Sequence, residues 1–208
     1  MSAGIISSFL VWAALLSFIF RLKKRPIRLR MLIAAVIAIS GIIPLSGLPI
    51  PLYIRAGIGD LSIVTQLLLS IYIINSLAGI YSTPARKTAY LQLCAFTLVT
   101  GVWFYPTTLG LTYFDPYRFG YITDPMHWMA LGYFFLGALT LLLLRSSWTS
   151  GILCLATLSF SFGNLQSTNY WDYMIDPVLM VGAIIYLTRD LAGRLKKSPP
   201  KKHPRQSF

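Results

Sequence analysis

IISSFLVWAALLSFIFRLKKRPIRLRMLIAAVIAI, residues 5–39, sets an apolar run, Ile5–Phe20, against a dense basic block, Arg21–Arg30, and then a second apolar run. No basic residue precedes the first run, and the basic block follows it. A secretory signal peptide has the opposite order, so the run is expected to stay in the chain as a span with its N-terminus outside.

The same sorting continues along the chain. Of 18 Lys and Arg, sixteen fall in Arg21–Arg30, Arg86–Lys87, Arg145 and the stretch Arg189–Arg205. There is no Glu, and five of the six Asp (Asp60, Asp115, Asp124, Asp172, Asp176) fall between those basic segments. Lys and Arg are retained on the cytoplasmic side of a membrane, so alternation of this kind predicts repeated crossings. Composition points the same way: 56% hydrophobic and 12% charged is poor in charge for an ordinary soluble surface. The net charge of +12 does not argue for nucleic acid, because the basic residues sit at the ends of apolar runs rather than on one face. Anionic headgroups account for them more simply.

Seven spans are expected, at roughly 3–20, 30–46, 60–81, 88–105, 125–144, 150–166 and 176–190. The sixth decides the topology. Its unbroken apolar core, Gly151–Gly163, is short enough to be a re-entrant hairpin, but without a crossing there the basic C-terminal stretch would lie outside. The expected fold is therefore an all-α integral membrane protein, a bundle of about seven transmembrane helices with the N-terminus outside and the C-terminus cytoplasmic. It occupies residues 1–194, and a basic tail at 195–208 is expected to be disordered. The absence of any Asn-x-Ser/Thr sequon is compatible with a bacterial inner (plasma) membrane. Cys94 and Cys154 lie inside apolar runs, as small core residues rather than a disulfide framework.

Asp60, Asp124 and Asp176 each stand at the expected start of a span, the last two before Pro125 and Pro177. A carboxylate there caps orphan N–H groups and faces the positive end of the helix dipole. The alternative is a carboxylate cluster on spans three, five and seven. Asp172 lies four residues before Asp176, and two close carboxylates could supply an acid and a base. Asp172, Asp176 and Asp60 are thus the candidate catalytic residues, with an Asx turn as the plainer reading of Asp172.

Arg55 and Arg118 are the basic residues outside the four basic segments, and a guanidinium is suited to phosphate or carboxylate. They are candidates for an anionic or lipid-linked ligand; ion pairs, Arg118 with Asp115 and Arg55 with Asp60, are the alternative. A polar stripe, Cys154, Thr157, Ser161, Asn164 and Thr168, has helical spacing. It reads as helix–helix packing or as the wall of a cavity with Asn164, Gln166 and Thr168 at its mouth. Tyr117, in the aromatic segment 106–124, completes the ligand-binding candidates. A lone His127 does not make a metal site, and no P-loop or GxGxxG occurs, so no metal and no cofactor are expected.

Two functions fit: recognition at the outer face of an anionic or lipid-linked ligand, or support of a partner acting there, and a non-catalytic scaffold subunit of a membrane complex. A small transporter ranks third, since no charge lies deep in a span. Expected partners are membrane lipids and a membrane protein.

Overall fold

A computed structural model describes residues 2–197. Nine α-helices are present among them: α1 (Ser2–Ile19), α2 (Ile27–Ile42), α3 (Ile50–Ile58), α4 (Ile63–Ala78), α5 (Pro84–Thr108), α6 (His127–Leu143), α7 (Ser147–Ser161), α8 (Trp171–Met174) and α9 (Pro177–Lys197). Pro44–Leu45 and Leu48–Pro49 pair as a minimal antiparallel hairpin, β1 and β2.

The helices begin and end where local chemistry dictates. Ser62 caps α4 by accepting from Thr65 N–H, and Thr83 caps α5 by accepting from Arg86 N–H. Gly79, in the left-handed region, closes α4 with an Ile80 N–H to Asn75 C=O bond, the Schellman arrangement. The Arg30 guanidinium occupies the space a Cβ at Gly79 would need, and donates to the Leu77 carbonyl at 2.8 Å. The same closure ends α6, where Ser146 N–H reaches Leu141 C=O, but there the left-handed residue is Arg145, at φ 61°. A side chain in that region costs roughly 1–2 kcal/mol. Arg145→Gly is therefore expected to raise stability by about 1 kcal/mol, read as an upward shift of the thermal midpoint.

These boundaries correct the seven-span bundle. Among the described residues one helix, α5, is long and apolar enough to cross a membrane. The apolar stretches Gly4–Ile19, Ile63–Ala78 and His127–Leu143 are shorter. Helices of 15 to 17 residues, such as α7, α2, α4 and α6, rise only about 22–26 Å at ~1.5 Å per residue, against ~30 Å of hydrocarbon. The expected spans counted residues that the fold uses as turns. Pro44 begins the hairpin after α2, Asp124–Met126 form a turn before α6, and Gly163 ends α7 before Asn164. With the seven crossings unsupported, the transmembrane description, the outside-to-cytoplasmic orientation and the inner-membrane localisation drawn from them are also unsupported. The boundary expected at 194/195 falls within α9, and residues 198–208 of the expected tail lie outside the described residues.

Packing joins α5 to α9, α6 to α7, and α1 to α3 and α4. Trp171, 2% exposed, anchors the core: its ring stacks on Phe104 at 4.3 Å and meets Trp103 and Phe134 edge-on. Val64, Leu93, Leu153 and Met174 fill the space around that cluster. Both cysteines are free thiols. Cys94 is half-buried, and burial pushes its thiol up to about 11, which suits an unreactive side chain, whereas Cys154 is exposed rather than in the core.

Candidate functional site

Two loops build a cavity at the end of α5. The α5–α6 connection carries a 3-10 turn, Pro116–Gly120, capped by Asp115, whose carboxylate accepts from Tyr117 N–H at 2.9 Å. The α7–α9 connection carries α8. Asn169, fully buried, locks the two loops together: its Nδ2 donates to the Tyr117 carbonyl and its Oδ1 accepts from Trp171 N–H. Tyr170 N–H reaches the Gly120 carbonyl, and Trp171 Nε1 the Pro116 carbonyl.

Between these loops, the start of α4 and the end of α5 lies a cavity of about 540 Å³. Its wall carries Asp60, Asp115, Asp172 and Asp176, with Phe104, Tyr105, Thr108, Tyr117 and Ser167 among its other members. Three expected catalytic residues and one expected binding residue, Tyr117, are thus brought together.

Their roles differ. Asp176, 5% exposed, is clasped by the fold. Its Oδ2 accepts from Ser62 N–H, Ser62 Oγ and Thr65 Oγ1, and its Oδ1 from Leu179 N–H. One carboxylate therefore caps α9 and holds the start of α4. Asp60 caps nothing: Arg55 grips it with Nε at 2.6 Å and Nη2 at 3.1 Å. Asp172 accepts from Tyr117 Oη and Ser167 Oγ, both on Oδ2, leaving Oδ1 without a hydrogen bond among the described residues.

The remaining expected residues lie elsewhere. Arg118 pairs with Asp124 at 3.2 Å and is mostly exposed. Asn164 donates to Ser159 Oγ on the surface, and Thr168 is exposed. The polar stripe ends because α7 stops at Ser161. Within α7, Thr157 bonds the Tyr170 hydroxyl at 2.7 Å, a packing role.

No family model, no curated protein and no solved structure matches the chain.

Sequence reasoning missed Tyr105. It stands just before Pro106, and α5 runs through that proline to Thr108. The Tyr105 hydroxyl is buried at the cavity wall with no hydrogen-bond partner among the described residues. Burial, then Asp176 and Asp172, push this phenol well above its ordinary value, so it stays protonated as a donor. Burial and then Asp172 raise Tyr117 in the same way, and burial lifts Tyr170 to about 12.

The sign of the linkage follows. The folded chain holds these phenolic protons more tightly than the unfolded chain. That contribution is complete below the ordinary value of 10 and is lost as pH rises through the folded values. Stability is expected to fall above pH 10, and the share of the tyrosinate absorbance that belongs to these three phenols is expected to appear together with unfolding rather than ahead of it. Denaturant midpoints measured across that alkaline range check this.

Proposed function

We propose that the protein binds a small organic cation, an amine or quaternary ammonium compound, in the cavity bounded by Asp60, Asp172 and Asp176. One observation carries the reading. In a chain of net charge +12 with six Asp, four of them line one cavity, and among the described residues no Lys, Arg or His lines it. Arg55 offsets one of those charges from outside the wall. No group of three or more His, Cys, Asp or Glu among the described residues could hold a metal ion. Carboxylates spread around a wall suit an extended organic cation better than a single metal ion. The walls are Phe104, Tyr105 and Tyr117, whose faces attract a cation by about 0.5–2 kcal/mol. The anionic ligand expected from Arg55 and Arg118 has less support, since each guanidinium already holds a carboxylate.

Calorimetric titration with tetramethylammonium and with butylamine tests the proposal. Binding is expected, and Asp172→Asn should weaken it by about tenfold. Absence of heat with both probes, or an unchanged affinity in the variant, would overturn it.

A second reading, a subunit that presents helices to a protein partner, is favoured by exposed apolar side chains. Phe18, Leu32 and Ile39 on α1 and α2, and Phe135, Leu136 and Leu143 on α6, are each more than half exposed.

A further inference from the structure

A second cavity, of about 320 Å³, has the opposite electrical character. It lies where the end of α4, the start of α5 and the middle of α9 meet, beside Lys23 of the α1–α2 connection. From Ser62 to Ser76, both buried, α4 runs about 20 Å at ~1.5 Å per residue, so the two cavities are distinct.

The wall holds Lys23, Arg86, Asn75, Ser76, Ser82, Tyr72, Tyr90 and Tyr186, and no acid. Arg86 forms no salt bridge among the described residues; its Nη1 donates to Asn75 Oδ1 at 3.3 Å, which fixes the guanidinium at the wall. Lys23 is held over the Tyr81 ring at 4.2 Å rather than by a carboxylate. The acid nearest in sequence to this wall, Asp190, is occupied by Lys87 at 3.1 Å and Arg194 at 2.6 Å.

Two further features point to a ligand. Ser76 is 2% exposed, lines the cavity, and its hydroxyl has no hydrogen-bond partner among the described residues. Arg86 also occupies the first turn of α5, where Lys87 beside it is already paired with Asp190. There the helix dipole is positive and cations are unfavourable unless an anion sits against them. The hydroxyls of Tyr72, Tyr90 and Tyr186 bond to nothing else among the described residues and add donors from α4, α5 and α9.

We propose that this cavity binds a phosphate monoester carrying a compact apolar group. Donors converge from four segments rather than from one planar fork, which suits the several oxygens of a phosphate better than a carboxylate. Leu68, Ile80 and the tyrosine faces line the rest of the space and take up the organic part.

The test is calorimetric titration of the full chain with phenyl phosphate, inorganic phosphate and dihexanoyl phosphatidic acid. Phenyl phosphate is expected to bind at least about tenfold more tightly than inorganic phosphate, and Arg86→Gln to cost about tenfold or more. Tetramethylammonium binding should be unchanged in that variant, which separates this site from the acidic cavity. If Arg86→Gln fails to fold, Tyr72→Phe and Tyr186→Phe serve instead, because they remove only hydroxyls without protein partners; each should weaken phenyl phosphate severalfold. Binding of the phosphatidic acid but not of phenyl phosphate would keep the phosphate monoester and assign it to a lipid headgroup. Equal affinity for phenyl phosphate and inorganic phosphate, failure of all three probes to bind, or unchanged affinity in every variant would overturn the proposal.

Discussion

Asp176→Ala is expected to lower the stability of the fold by on the order of 4 kcal/mol, the largest loss from any single carboxylate in the chain. Its four hydrogen bonds come from two helices that are far apart in sequence. Bonds to a charged acceptor contribute about 1.5–3 kcal/mol each when taken singly, and they are not additive. Removal also leaves the buried hydroxyls of Ser62 and Thr65, which are 0% and 4% exposed, with only each other as side-chain partners. Alanine leaves them a dry space, and α9 loses its cap. Asp176→Asn keeps the shape and one acceptor oxygen but not the charge, so about half the loss is expected. Urea midpoints for the two variants check both numbers. A loss below about 1 kcal/mol for Asp176→Ala would mean that the clasp is incidental.

Gly120→Ala is expected to cost at least about 3 kcal/mol, and to abolish cation binding where the protein still folds. A Cβ at Gly120 would overlap the Asn169 amide and come within 2.6 Å of Trp171 Cδ1. Neither neighbour can give way. Asn169 is fully buried with both ends of its amide bonded, and Trp171 is wedged among Phe104, Trp103 and Phe134. Moving Asn169 would unlatch the loop carrying Asp172 from the loop carrying Tyr117. Combined denaturation and tetramethylammonium titration read both effects. A stable variant with normal binding would show that the two loops hold without the Asn169 latch.

The apolar runs made the positions of the helices legible, because a run between turn residues fixes where a helix lies. They did not fix helix length. Asp60, Gly163 and Pro125 stand within or against apolar stretches, and each belongs to a connection rather than to a helix. Capping was legible at Asp176, where Asp followed by Pro is a strong signal. It was misread at Asp60, because Ser62 two residues later takes the cap and Arg55 takes the acid. Sequence could pose a carboxylate cluster only for Asp60, Asp124 and Asp176, and only if three spans meet; the cavity takes Asp60 and Asp176 and adds Asp172, while Asp124 pairs with Arg118 instead. The latch through Asn169 and Gly120 was not legible, because its partners are 49 residues apart and neither residue type announces a long-range contact.

The Asp176 clasp also has a consequence in time. The bond from Ser62 to Asp176 spans 114 residues. At a synthesis rate of about 5–20 residues per second, α4 emerges roughly 6–23 s before its carboxylate exists. Through that interval Ser62 and Thr65 lack their carboxylate acceptor, and the cavity wall is open on the α9 side. The cavity therefore closes among the last events of the chain's first folding, and ribosome-bound chains ending before Asp176 lack it.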